Sequence, residues 1–498
     1  AEFKGSLIEF ADGHTVRLKD RRADFTKIAG TGTGNDANII ASTSVDQSIT
    51  MADTATITGQ SLGMLEGGID NAVKLQLLDT FAWNEFVVDG DYSYNSSVTL
   101  ALAGRTVKIS GNGSLIGVGG SFKISGSLTE LGAISVGTAT EGDRTINVTG
   151  LTGVVSGDLI IIHNQVDFSF SPHRANYYDG EFTEVASVAG DVITLTKPLE
   201  STYTAVATNK VFKSNSVTAT IEDVSFYGDG TYALQVAFAR GGEIKPTRIE
   251  GGVTAAFRLD KSYGTELYNG EYYNSAPDTS LQYGISIVNC QNINGYGQIA
   301  HATRHGIATG GDSLDGAVPC RRIKFYNAVM TNDVPSTHTT DFHGNTTDSG
   351  YYNCDSFGDV SLSGVNVEYV GGTVTGGDRV APFSGSEFNG GYLRYEGITL
   401  ICTALSTGTS MFKFLNTAES IKISNNYDII LNDISIKNNT LIQYLMEVTV
   451  NAPTVESNWY LTNIRPENQL VSGQRVVKGT VIGVGVRPNS IVVRNIQL

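Results

Sequence analysis

Apolar and polar residues alternate in short runs along most of the chain, the period of a strand with one buried face. Such runs cover Thr106–Ser110, Thr145–Thr149, Ile221–Phe226, Ile285–Val288, Ile323–Tyr326, Gly391–Tyr395 and Ile429–Ile436. Gly, Asn and Asp separate them, the expected punctuation of strands. Helical periodicity is nearly absent, and its best stretch is Gly68–Phe86. From about residue 218 similar blocks recur, among them IEDVSFYGDGT, YGISIVNCQNINGYG, CRRIKFYNAVMTND and GVNVEYVGGTVTGGD. Their starts lie roughly 20–40 residues apart, the range of repeat architectures. Val288-Asn289-Cys290 and Tyr352-Asn353-Cys354 share one local pattern, two coils apart. One strand of such a coil cannot bury its apolar face alone, whereas stacked coils join the stripes into a continuous core. A β-sandwich also alternates, but its turns recur every ~8–12 residues without a longer period. The pattern therefore predicts an all-β chain built as a parallel β-helix.

One stretch breaks the repeat. Residues 128–204 contain GDRTINVTGLTGVVSGDLIIIHN and GEFTEVASVAGDVITLTKPLESTY, with hairpin-like signals at Gly157-Asp158 and Gly190-Asp191. They predict a small antiparallel β insertion beside the helix. The last stretch, ending VVKGTVIGVGVRPNSIVVRNIQL, predicts a β-rich C-terminal region that caps the solenoid or supports oligomerisation.

Composition narrows the function classes. Of 498 residues, 40% are hydrophobic and only 17% charged, which argues against disorder. Gly is frequent at 57 residues and Pro scarce at 10, as many tight turns between short strands require. The 34 basic and 50 acidic side chains give a formal charge of −16, and no Lys/Arg run occurs. Nucleic acid is therefore not an expected partner, since phosphate contact needs clustered cations. No apolar run approaches the ~18 residues of a membrane span, and no signal peptide stands at the start. Membrane insertion is not expected. The opening Ala1-Glu2-Phe3, without Met, reads as a cloning remnant, so a longer native N-terminus is expected. Cys290, Cys320, Cys354 and Cys402 form no CxxC pair. Their spacing suits one buried thiol per coil, no disulfide framework, and folding in a reducing cytoplasm.

The segment Leu18-Lys19-Asp20-Arg21-Arg22-Ala23-Asp24-Phe25, followed by Gly30-Thr31-Gly32-Thr33-Gly34-Asn35-Asp36, resembles the entry segment of phage tailspikes. The GDLIII…GEFTEV…ITLTKPLESTY pattern is similar to the small β insertion of tailspike depolymerases. Arg304-His305-Gly306-Ile307-Ala308-Thr309-Gly310-Gly311 and Asp341-Phe342-His343-Gly344-Asn345 resemble two further motifs of that group, and their order along the chain is the same. The resemblance covers residues from about 18 to 355. It implies a right-handed parallel β-helix, a homotrimer, attachment to the phage tail or baseplate through a preceding N-terminal segment, and binding or cleavage of a bacterial surface polysaccharide outside the host. A three-fold fibre would add avidity to weak sugar contacts. The expected division is 1–60 as neck and entry, 61–127 as first coils, 128–205 as the insertion, 206–428 as the helix with the site, and 429–498 as C-terminal coils, cap or trimerisation region.

Four of the seven histidines, His301, His305, His338 and His343, lie close in sequence around Arg304. On a strand, Arg304 and His305 would point to opposite faces unless the backbone turns, which Gly306 would permit. His343, with Asp341 to order it, falls about one long coil beyond His305. Such a set suits β-elimination at a uronic acid. Arg304 would neutralise the carboxylate as enolate charge develops, and His305 or His343 would take the C5 proton. A His or Tyr, with Tyr351 or Tyr352 as candidates, would protonate the leaving oxygen. The Arg-His-Gly triplet resembles a motif of β-helical polysaccharide lyases, but no clear Lys base stands one coil earlier. A hydrolase would instead need two carboxylates. Asp312 and Asp315 are the best-placed pair, with Glu266, Glu271, Asp348, Glu368, Asp378 and Glu387 as further candidates. Each of these residues also has a structural reading, as a turn former, an ion pair or a cap. Tyr272, Tyr273, Tyr351 and Tyr352 are candidates for stacking on sugar rings, though sheet filler and trimer contact suit them equally. No histidine spacing matches a metal-ligand set, and no cofactor is expected. The expected function is a depolymerase, a lyase ahead of a hydrolase, with a non-catalytic receptor-binding fibre as the remaining alternative.

Overall fold

In the computed structural model each coil passes three faces of a right-handed parallel β-helix, with one strand on each face or, as in Thr346–Phe357, one long strand across the first two. The structure describes three short strands before residue 30 and residues 56–496. Excepted are 136–137, 169–173, 175–176, 205–207, 275–280, 334–336, 377–382, 386–389, 404–409, 417–426, 439–443, 451–456, 468–474 and 482–489. The entry motif of residues 18–36 lies almost entirely outside these, as do Asp378 and Glu387.

A 22-stranded sheet forms the first and second faces and a 12-stranded sheet the third. The coil around the histidines runs from Gln291–Tyr296 on the first face, through Ile299–Ala302 on the second, to His305–Gly310 on the third. The next runs Cys320–Tyr326, Val329–Asn332, His338–Phe342. Neighbouring coils pair in parallel and in register, roughly 4.8 Å apart, so equivalent side chains stack into columns. One inward column of the first face reads Ile244, Leu267, Gly295, Phe325, Tyr351, Tyr369, Tyr395, Leu431. Gly295 is needed there for space: a Cβ would collide with the Phe325 ring. The bend between the first two faces falls on residues with positive φ, Asn269 (42°), Asn327 (54°) and Asn353 (52°), a conformation Asn tolerates better than most residues. Asn289 also has positive φ (53°), but it turns the chain from the third face into the first. The two Asn-Cys pairs are thus one device used at different corners, and both cysteines are buried. All four cysteines are free and buried.

Gly68–Phe86 is only partly helical. It holds a helix at Ala72–Gln76 and a 3₁₀ turn at Leu77–Asp79, and the chain is already in a strand at Glu85–Val88. Beyond residue 427 the strands Tyr427–Lys437, Tyr444–Val450, Ser457–Pro466 and Arg475–Val481 continue the same parallel stack. No helix among the described residues is long and apolar enough to cross a membrane.

The insertion leaves the helix after Phe122–Ser125 and returns at Thr218–Glu222. Its antiparallel sheet has the order Ser127–Ala133, Asn209–Asn215, Leu159–Asp167, Tyr178–Ala189, Val192–Leu195, Thr145–Asn147. The apolar run 159–162 serves two cores by alternation. Ile160 and Ile162 join Ile146, Val185 and Ile193 inside the insertion. Leu159 and Ile161 face Phe182, Phe212 and Val318 where the insertion meets the helix.

Candidate active site

Tyr283–Val288, His305–Gly310 and His338–Phe342 are successive strands of the third face. Their register sets Tyr283 beside His305 and Ala308 beside Asp341. Ile285, Ile307 and Phe342 enter the main core, whereas Tyr283 and Ala308 belong to a separate small cluster outside it, and Asp341 alternates with inward Phe342. The ring of Tyr283 stacks on His305 with centroids 5.4 Å apart and planes at 15°.

Asp341 is the hub. Its Oδ2 lies 3.1 Å from His343 Nε2 and 3.6 Å from His305 Nε2. His305 Nδ1 donates to the carbonyl of His338, which can only accept, so in the neutral ring the lone pair sits on Nε2. Burial, with an opposing contribution from Asp341, lowers the His305 pKa from 6.5 to about 3 and keeps the ring neutral. Burial alone would push the Asp341 carboxyl up, but His343, which also hydrogen-bonds to it, outweighs burial and holds it well below the usual carboxylate range. His343 Nε2–H donates to Asp341, which leaves the Nδ1 of a neutral His343 to accept from the Tyr177 hydroxyl at 3.4 Å. His338 Nε2 lies 2.8 Å from the Ser384 hydroxyl of a later coil.

Arg304 stands in the turn just before the strand that starts at His305. The turn therefore includes Arg304 and ends before His305, while Gly306 is within the strand, so the Arg-His pair does not lie along one strand. Its carbonyl accepts from Asn332 Nδ2 at 3.2 Å and Thr337 Oγ1 at 3.0 Å. Its charge bears on both Tyr283 and His305. Burial pushes the Tyr283 hydroxyl up to about 12, so it keeps its proton at neutral pH.

Several expected site residues lie elsewhere. His301 is on the second face, bonded to Thr331 at 2.6 Å and Asp333 at 3.2 Å, and packed on Tyr273. Tyr273 also carries the Arg248 guanidinium at 4.0 Å from its ring centroid. Tyr272 and Tyr351 are fully buried in the core, because each occupies the inward phase of its strand, so neither can meet a sugar. Tyr352, one residue on, faces outward in a stack with Tyr268, Tyr296 and Tyr326, on a different face from the histidines. Asp312 and Asp315 do not form a carboxylate pair. Asp312 is bound by Lys261 at 2.8 Å and Arg258 at 3.7 Å, and exposed Asp315 faces Lys210 of the insertion at 3.8 Å. Among the described residues no cluster of three or more His, Cys, Asp or Glu is arranged to hold a metal ion.

Tyr283 escaped the sequence reading, although a signal existed. Tyr283-Gly284-Ile285 and His305-Gly306-Ile307 share a Gly-Ile pair, and aligning the two places Tyr283 over His305. Tyr177 of the insertion is marked in the sequence only by the pair Tyr177-Tyr178, one of several tyrosine clusters suited to sugar stacking, and Arg174 by nothing that points to a site on another part of the chain.

Residues 250–459 match the family model described as Gp49, pectin lyase-like, and residues 123–214 match that of the tailspike protein-like Ig-like domain. Three solved phage tailspikes share the fold. Gp49 of Pseudomonas phage LKA1 superposes with a TM-score of 0.74 at 23% identity, over 88% of this chain and 80% of that one. The tailspike gp61 of Pseudomonas phage phi297 gives 0.75 at 18% identity, over 88% and 80%. The Gp54 tailspike of Acinetobacter baumannii bacteriophage AP22, solved in complex with A. baumannii capsular saccharide, gives 0.62 at 20% identity, over 88% and 77%. A comparison with curated proteins gives no match. The chain thus combines a tailspike-type Ig-like insertion with a pectin lyase-like β-helix, the architecture of phage tailspikes.

Proposed function

We propose that the chain is a phage tailspike that binds a bacterial surface polysaccharide and cleaves it by β-elimination at a uronic acid. It would act as a homotrimer on the virion tail. The saccharide-bound AP22 tailspike of the same fold supports the ligand class. The observation that carries the chemistry is the neutral His305 ring, 3.6 Å from Asp341 and stacked on Tyr283, with the charge of Arg304 bearing on both rings.

In this reading Arg304 pairs with the uronate carboxylate and lowers the cost of enolate charge. His305 Nε2, covered in the free chain at 1% exposure of the residue, takes the C5 proton once the bound sugar reaches the ring. The electron pair of the C5–H bond forms the C4–C5 double bond, the C4–O bond breaks, and the leaving oxygen takes a proton from Tyr283. Solvent carries the proton from His305 back to Tyr283. The Asp341 carboxylate, 3.6 Å from Nε2, favours the imidazolium that forms, against the burial that keeps the resting ring neutral. Asp341 itself stays ionised, which makes it unsuited to be the acid of a hydrolase.

The test is incubation with surface polysaccharide from a strain to which the protein adsorbs. A lyase gives products with near-ultraviolet absorbance from the new double bond, lost in Arg304→Ala. Reducing ends without that absorbance identify a hydrolase, and binding without either identifies a receptor-binding fibre.

A further inference from the structure

The insertion does more than lean on the helix. Tyr177, just before its strand Tyr178–Ala189, reaches the histidine row. The Tyr177 hydroxyl is 3.4 Å from His343 Nδ1, and the two rings stack at 25° with centroids 6.3 Å apart. The Arg174 guanidinium lies 5.8 Å from the Tyr177 ring centroid, and its charge bears on the Tyr283 hydroxyl, as does that of Arg304. Two guanidiniums, one from each part of the chain, thus address one hydroxyl beside His305.

The helix makes room for this approach at Gly311, the last residue of the RHGIATGG motif. A Cβ at Gly311 would sit 2.9 Å from Tyr177 Cγ and 3.0 Å from Cδ1, closer than side chains pack, and 2.8 Å from Asn345 Nδ2. The φ of Gly311 is not in the left-handed region, so space rather than backbone conformation calls for glycine. The start of the strand Tyr178–Ala189 is tied down by charge. Arg321 of the helix is buried and binds Glu200 at 2.8 Å and Asp179 at 3.4 Å, and lies over the Phe168 ring at 5.5 Å.

We propose that the insertion forms one wall of the catalytic site. Arg174 is a second binding group for the acidic sugar, in addition to Arg304, Tyr177 positions His343, and Gly311 is the seat on which Tyr177 rests. The role of Arg174 rests on the acidic-sugar reading above. A guanidinium–carboxylate contact is among the stronger polar interactions and matches a uronate in planar geometry.

The test uses the whole chain and surface polysaccharide from a strain to which it adsorbs, with oligosaccharide binding and cleavage both measured. Arg174→Ala is expected to weaken binding and raise KM about tenfold with a smaller change in kcat, and Arg174→Lys to recover part of it. Gly311→Ala and Tyr177→Ala are each expected to lower kcat/KM, and the double variant to be no worse than the more damaging single one. Melting temperatures should stay near that of the parent chain. Binding and cleavage unchanged in Arg174→Ala, or Gly311 and Tyr177 effects that multiply, would overturn the proposal. The two readings fail separately. Products without a double bond remove the lyase, while a loss in Arg174→Ala still supports the wall. Undiminished double-bond formation in Arg174→Ala removes the wall and leaves the lyase.

Discussion

His305 and His343 lie one coil apart and address the same oxygen of Asp341, at 3.6 and 3.1 Å. One carboxylate therefore serves two imidazoles, one held neutral by burial and the other tied to Tyr177 of the insertion. Asp341→Asn keeps the shape and removes the charge that receives the His305 imidazolium. The expected result is a fall in kcat on the order of 100-fold, the scale of acid–base contributions, with KM little changed. Initial rates on the cleaved polysaccharide check this. A parental kcat would mean that Asp341 only orders the loop.

The stacked coils were legible because a parallel β-helix repeats one pattern, and the pattern survives changes of residue. Which phase of a strand faces inward was not legible. Phe325-Tyr326 and Tyr351-Tyr352 look alike in sequence, yet the first member of each pair enters the core and the second joins the outward stack. Only register across coils fixes that phase. The histidine and arginine cluster could be seen because its members are near in sequence. The Asp312–Asp315 pairing failed for the converse reason. Nearness in sequence said nothing of Lys261, Arg258 and Lys210, which claim the two carboxylates separately. Arg174 reaches the site from a domain whose own fold gives no hint of it, and Tyr177 showed only as half of a tyrosine pair, with nothing to link it to His343.

The core position of Tyr351 makes a sharp contrast with its neighbour. Tyr351 stacks on Phe342 at 4.6 Å and on Phe325 at 5.9 Å between ring centroids, fully buried. Tyr351→Ala is expected to lose roughly 3–5 kcal/mol of stability, the range for large aromatic truncations. Tyr352→Ala, on the half-buried outer stack, should lose about 1 kcal/mol. Denaturant unfolding measures both. Equal losses would mean that the inward and outward phases have been exchanged.

The depressed pKa of His305 has a consequence for stability against pH. The unfolded chain binds a proton at this ring near 6.5, whereas the folded chain does so only near 3. Between those values the unfolded state holds more protons, so stability is fully present above about 6.5 and falls as pH drops, by at most ~1.4 kcal/mol per unit for one such group. His163, buried in the insertion against the Ala317 carbonyl, is also lowered and acts in the same direction. Asp341, held low, adds a further loss as pH falls below the usual carboxylate value. Unfolding midpoints measured from pH 7 to pH 4 should decline, and His305→Gln should make the decline shallower. An identical slope in that variant would remove His305 as a contributor.

The last prediction concerns the joint between insertion and helix. Arg321 is buried and meets Glu200 and Asp179, while Arg322 meets Glu200 at 3.0 Å. Burial raises the Asp179 carboxyl, and the Arg321 charge only partly opposes it. Burial also works against the Glu200 charge, but Arg322, Lys197 and Arg321 overcome this and hold Glu200 at about 2. Removing the guanidinium leaves Asp179 without its cation in a buried place, which costs more than the pair contributes when intact. Arg321→Ala is therefore expected to lose roughly 3–5 kcal/mol at this interface, while the far coils beyond residue 427 keep their parallel pairing. Hydrogen exchange should show the loss first in Leu159–Asp167 and Tyr178–Ala189, the strands that meet the helix. Catalysis should fall with it, because Tyr177 immediately precedes the second of those strands and loses its place beside His343. Replacing Asp179 as well, in Arg321→Met with Asp179→Asn, removes both charges together and should restore much of the stability. Restored docking should then bring the catalytic rate back with it. Exchange that rises evenly through the whole helix would show that Arg321 supports the stack and not the joint.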